Sequence, residues 1–124
     1  MTETALQRVA IMGAGNGGCA AAADLGGRGY DIRLWSRSEA RLAPLREIGG
    51  VEYAGALGDG LQPIDTITTD MATAMQDADL VLIMVPTQAH EDMARAVAPH
   101  LRDEQVLMVS PGHTLLLGPL TLKR

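Results

Sequence analysis

Phenylalanine is absent from this chain, and aromatic residues make up only 2% of its 124 residues. A core must therefore be built from Ala, Val, Leu, Ile and Met, which the 47% apolar share can supply. Small residues of that kind favour close helix–sheet packing. Cysteine is nearly absent too. Cys19 stands alone, which excludes an internal disulfide and suits a reducing, cytoplasmic setting. No apolar run is longer than a strand, so neither a signal peptide nor a membrane span is expected. The only lysine is Lys123, and no Gly-Lys-Ser/Thr is present, which excludes a P-loop. The length suits one modest domain. The net charge of −5 disfavours nucleic acid or an anionic membrane as partner. No repeat or low-complexity tract is visible.

The basic residues are unevenly spread. Arg28, Arg33, Arg37, Arg41 and Arg46 fall in one stretch, and no Lys or Arg occurs from Glu47 to Ala94. A solvated helix face is one account of that stretch; an anion site is the other.

Alternation along the chain predicts the elements. Arg8–Met12 reads as a buried strand ending at glycine. Ala-rich Asn16–Gly27 reads as a helix stopped by Gly26 and Gly27. Tyr30–Trp35 reads as a strand. Ser38 caps a helix to about Ile48, in which Pro44 predicts a kink or a late start. Val51–Ala54 and Ile64–Thr68 are weak strands, with Gly55–Pro63 between them as turn or loop. Asp70 caps a short helix to Asp77. Leu80–Val85 is six apolar residues in a row, as in a strand covered on both faces. Pro86 ends it, and Thr87 caps a helix to about His100. Gln105–Val109 is the last strand, followed by a turn at Ser110–Gly112. Strands alternating with helices predict an α/β class, with a mostly parallel sheet and helices on both faces. Residues 1–112 form the domain. The apolar tail from His113 would be the start of a further domain, or be covered by a partner chain.

One motif sits in the right place. Gly13-Ala14-Gly15-Asn16-Gly17-Gly18 matches G-x-G-x-x-G, after a predicted strand and at the opening of a helix. In a Rossmann-type βαβ unit the first glycine makes the tight turn, the second admits a pyrophosphate, and the third lets helix and strand pack. The amides of Asn16, Gly17 and Gly18 would face the phosphates at a helix N-terminus. A ligand-free tight turn is the plain alternative. The second strand ends Trp35-Ser36-Arg37, where an NAD-selective site places an acid. A hydroxyl and a guanidinium would instead welcome a 2′-phosphate, so NADP is preferred over NAD, with Arg41 able to assist. The plainer reading has Arg37 stacking on adenine or standing in solvent. Val85, Pro86 and Thr87 would line the nicotinamide ribose at the carboxyl end of a central strand. His90 is either a cleft residue or structural, His100 a helix-end partner, and His113 lies after a turn. The three histidines lack metal-ligand spacing. Cys19 at a helix start reads as packing.

These segments carry a resemblance. Val9–Gly18 resembles the N-terminus of opine dehydrogenases of the octopine/nopaline type. Leu80–Val85 followed by Pro86-Thr87-Gln88-Ala89-His90 resembles their Val-Pro-x-x-x-His segment, and Ser110-Pro111-Gly112 resembles their Asn-Pro-Gly. The N-terminal domain of NAD(P)-dependent glycerol-3-phosphate dehydrogenase is also similar, but has a lysine after its fifth strand where this chain has none. The resemblance implies a nicotinamide-dependent oxidoreductase that reductively condenses an amino acid with a 2-oxo acid. It places the catalytic residues in a C-terminal domain, so no catalytic residue is assigned here. The alternatives are a glycerol-3-phosphate dehydrogenase-like or other 2-hydroxyacid-type reductase, and a stand-alone nucleotide-sensing module. Such modules keep the acid after the second strand.

Overall fold

A computed structural model describes residues 7–53 and 59–110. The tail from His113 and the turn residues Pro111 and Gly112 lie outside them.

Five parallel strands form the main sheet in the order β5-β2-β1-β6-β7. These are β1 (Arg8–Met12), β2 (Asp31–Trp35), β5 (Thr66–Thr68), β6 (Leu80–Met84) and β7 (Val106–Ser110). Among the described residues four α-helices accompany them: α1 (Asn16–Gly27), α2 (Glu39–Ile48), α3 (Met71–Met75) and α4 (His90–Val97). A separate antiparallel hairpin pairs β3 (Gly50–Tyr53) with β4 (Gly60–Pro63).

The side-chain period of two sorts the strands into two cores. Val9, Ile11, Ile32, Leu34, Leu80 and Leu82 face α1 and α2, packing on Ala22, Ala23 and Leu42. Ala10, Met12, Trp35, Val81, Ile83 and Val109 face α3 and α4, packing on Ala74, Met75, Met93 and Val97. This is why β6 has no polar alternation: both of its faces are covered.

The termini of α2 follow local chemistry. Ser38 Oγ accepts from Arg41 N at 3.2 Å, and Gly49 closes the helix in the left-handed region at φ 78°. Pro44 does not delay the helix, which already starts at Glu39. Its missing N–H would have pointed to Ala40 O, one bond in a ladder that tertiary packing through Leu42 sustains.

Two further expectations need correction. Gly60–Pro63, expected within a loop, is a strand. A Cβ on Gly50 would stand 2.1 Å from Gln62 O, so the pair closes only with glycine at that position. The segment after Pro86 is not one capped helix. Thr87–Ala89 is a 3-10 turn, α4 follows from His90, and Ala98–His100 is again 3-10, so Thr87 stands inside the first turn. The remainder of the Gly55–Pro63 loop, residues 55–58, falls outside the described residues.

Candidate dinucleotide groove at the sheet's carboxyl edge

From β1 the chain moves outward to β2 and β5, then returns to β6 on the other side. Strand order thus reverses between β1 and β6, where open α/β sheets form a crevice at the carboxyl ends of their strands. A groove of about 320 Å³ occurs there. Gly13, Ala14 and Gly15 form its floor. Trp35, Ser36, Arg37 and Arg41 form one wall; Met84, Val85, Pro86, Ala89, Asp92 and Met93 form the other.

The floor shows two glycines imposed by the fold and one that is not. Gly13 has φ +134°, and a Cβ there would stand 2.3 Å from Met84 O. A Cβ on Gly18 would stand 1.7 Å from Gly13 O, so α1 can lie this close to β1 only without a side chain. At Gly15 the nearest atom to an added Cβ is Arg41 Nη1, 4.0 Å away. Among the described residues nothing crowds a side chain at 15. A Cβ there would occupy the groove instead.

Helix α1 starts with Gly15 as N-cap and without a side-chain cap. Its first helical bond is Cys19 N to Gly15 O at 2.9 Å, which leaves the amides of Asn16, Gly17 and Gly18 ahead of the ladder. Such amides, with the dipole behind them, are suited to an anion. The floor is pinned to the wall by Gly13 N donating to Trp35 O at 2.8 Å. Trp35 Nε1 in turn donates to Thr69 O at 2.9 Å.

The wall is electrostatically distinct. Ser36 is 7% exposed, and its Oγ accepts from Ser38 N at 3.1 Å, leaving its own proton to donate. Arg28, Arg33, Arg46, Arg95 and Arg102 each pair with a carboxylate. Arg37 and Arg41 make no ion pair among the described residues. Both arginines line the groove, where an anion could pair with them.

Of the residues singled out by sequence, Gly13, Gly15, Ser36, Arg37, Val85 and Pro86 line the groove. Asn16, Gly17 and Gly18 do not line it but follow Gly15 as the first residues of α1, and Thr87 follows Pro86 in the 3-10 turn. Asp92 and Met93 were missed. They share with Ala89 the i, i+3, i+4 spacing that puts residues on one helix face, a signal visible only once the end of α4 is known.

His90 is held by structure: its Nε2 lies 3.0 Å from Val85 O. His100 lies elsewhere, lining a cavity of about 340 Å³ with Asp77 and Arg102 near the amino ends of β6 and β7. Burial pushes the Cys19 thiol up, against the opposing pull of Arg41, and Sγ donates to Ala14 O at 3.4 Å. Among the described residues no three His, Cys, Asp or Glu side chains could hold a metal, and no helix is long and apolar enough to cross a membrane.

Residues 8–112 match the family model of the NAD-dependent glycerol-3-phosphate dehydrogenase N-terminus. The chain belongs to this family. It is an N-terminal domain of the NAD-dependent glycerol-3-phosphate dehydrogenase type, a family whose cofactor is a nicotinamide dinucleotide. An opine dehydrogenase of Arthrobacter sp. (strain 1C) is 32% identical over 85% of this chain and 29% of its own length. A glycerol-3-phosphate dehydrogenase [NAD(P)+] of Teredinibacter turnerae (strain ATCC 39867 / T7901) is 35% identical over 82% of this chain and 29% of its own. A solved octopine dehydrogenase in complex with NADH and agmatine superposes with a TM-score of 0.70 at 23% identity. It covers 85% of this chain and 28% of that one, and shows the shared fold. The chain thus spans about 29% of the length of these curated relatives.

Proposed function

We propose that this chain is the NADP(H)-binding domain of an opine dehydrogenase-like oxidoreductase, one that condenses an amino acid with a 2-oxo acid and reduces the product. The observation that carries the cofactor reading is the wall at the end of β2. A buried hydroxyl, Ser36, stands beside Arg37 and Arg41, whose guanidiniums have no carboxylate partner among the described residues. Ser36 and Arg37 would hold the 2′-phosphate. The amides of Asn16, Gly17 and Gly18 would hold the pyrophosphate over Gly13 and Gly15. Val85, Pro86 and Thr87 would flank the nicotinamide ribose.

The bound nicotinamide supplies the hydride. The residues of this chain bind it, orient it and neutralise its phosphates, and none of them is assigned a proton-transfer role. The opine reading is supported by the Arthrobacter relative and by Ser110-Pro111-Gly112, which lacks the lysine of the glycerol-phosphate pattern. A second reading, glycerol-3-phosphate dehydrogenase, is favoured by the family model. A single thiol, Cys19, supports a cytoplasmic setting. The domain would span 1–112, with a further domain or partner chain covering the apolar residues from 113.

Titration calorimetry of the chain with NADPH and with NADH tests the cofactor reading. NADPH should bind at least tenfold more tightly, as a charge-assisted contact to phosphate implies, and Arg37→Ala should abolish the difference. Equal or tighter NADH binding overturns it. Oxidation of NADPH by the full gene product separates the enzyme readings: an amino acid with a 2-oxo acid supports the first, and dihydroxyacetone phosphate the second.

A further inference from the structure

The groove contains one acid that the cofactor reading does not use. Asp92 lies on the α4 wall, opposite Arg37 and Arg41. Its neighbour Glu91 pairs with Arg95. Asp92 has no hydrogen bond or ion pair among the described residues, although two guanidiniums line the same groove. Ala89, one turn before Asp92, and the largely buried Met93 that follows it make the rest of that wall apolar.

We infer that Asp92 reads the base of the dinucleotide by accepting a hydrogen bond from the adenine exocyclic amine. The inference rests on the cofactor reading above. If Ser36 and Arg37 hold the 2′-phosphate, the base is carried on the adjacent ribose carbon and must lie in the same groove. Its phosphate side faces the β2 wall, so its edge faces α4. A flat base lies against Ala89. The exocyclic amine is the only donor on the adenine edge, and an ionised carboxylate only accepts. The slot therefore complements an amino purine and not one lacking that donor.

Asp92 also sits in the first turn of α4, where an acid favours the helix by itself. The phosphate would be repelled by the same charge. The test must separate these effects from base reading. The unmodified chain is titrated with adenosine 2′,5′-bisphosphate and with its purine-riboside analogue, which lacks the amine and adds no new donor. The adenine form should bind about fivefold more tightly, the range of one solvent-screened hydrogen bond. In Asp92→Ala the two ligands should bind equally; in Asp92→Asn, which keeps an acceptor oxygen, part of the preference should survive. A helix-dipole role would move the melting temperature and leave the ratio alone. A repulsive role would tighten both ligands equally in Asp92→Ala. Either result, with the ratio retained, overturns the inference. Tight but equal binding of both ligands by the unmodified chain also overturns it while leaving the cofactor reading intact. Failure of a folded sample to bind either ligand removes both.

Discussion

Replacing Gly18 and Gly15 by alanine should separate what the fold requires from what a ligand requires. At Gly18 the new Cβ would stand 1.7 Å from Gly13 O and 2.8 Å from Gly13 C, both backbone atoms. No side chain can swing aside, so α1 must lift from β1. The fully buried Ile11 and Ala22 lie under that contact. Overpacking of this kind costs about 2–3 kcal/mol, a large share of a typical domain's 5–15. For a domain of this size the melting temperature should fall by roughly 10–20 °C. Gly15 has φ −79° and ψ −165°, which alanine adopts without strain. Its added Cβ meets only Arg41 Nη1 at 4.0 Å. Losing a glycine N-cap and reducing unfolded-state entropy act in opposite directions by tenths of a kcal/mol to about 1. The melting temperature should stay within about 4 °C, while NADPH affinity should drop about tenfold or more as the methyl obstructs the phosphates. Circular dichroism melts and calorimetry on both variants provide the check. A Gly18→Ala protein that melts like the parent, or a Gly15→Ala protein that binds NADPH normally, would refute the reasoning.

Other perturbations follow from single contacts. Asp79 accepts from Gln7 N and Arg8 N, each at 2.9 Å, and these bonds hold its carboxyl below the ordinary 3.8. Because the folded value is the lower one, the stabilisation is full above about pH 4 and is lost as pH falls below that, through the depressed folded value. Asp79→Asn should therefore lose about 1 kcal/mol at pH 7, reduced by solvent screening, and nothing near pH 2, as urea unfolding at both pH values would show. Leu42 is fully buried between α2 and the sheet, so Leu42→Ala should cost about 3 kcal/mol in the same assay. Since burial raises the Cys19 thiol and Arg41 opposes that rise, Cys19 should react with a thiol reagent at pH 8 more slowly than a free peptide thiol. Arg41→Ala should slow it further. Raising ionic strength from 0.1 to 1 M shortens the Debye length from about 10 to 3 Å and should weaken NADPH binding more than NADH binding.

The parallel core was readable because its signals are local. After Arg8 the residues of β1 are apolar, those of β6 are apolar throughout, and the glycines of the first loop fall directly after β1. The hairpin was not readable, since β4 is Gly-Leu-Gln-Pro, a composition shared with loops. It becomes a strand by pairing with β3 and packing against α1, where Gly26 leaves room for Gln62. Pro44 misled for a related reason: an isolated helix would suffer from it, but Ser38 at one end, Gly49 at the other and Leu42 in the core hold this one. The far wall of the groove was half legible. Val85 and Pro86 follow a strong strand, whereas Asp92 and Met93 depend on a 3-10 turn that no propensity marks.

The glycine motif itself is decided at a distance. Gly13 lacks a side chain because Met84 O lies where its Cβ would be, and Met84 is the last residue of β6, far along the chain. Gly18 lacks one because Gly13 O is there. These two constraints would persist in a strand-turn-helix unit that bound nothing. Only Gly15 opens onto empty space, and it does so beside Arg41, one of the two groove-lining arginines without a carboxylate partner among the described residues. The motif therefore mixes two packing requirements with a third position, Gly15, that has room for a side chain, and that roomy glycine, rather than the two crowded ones, is the residue that points to function.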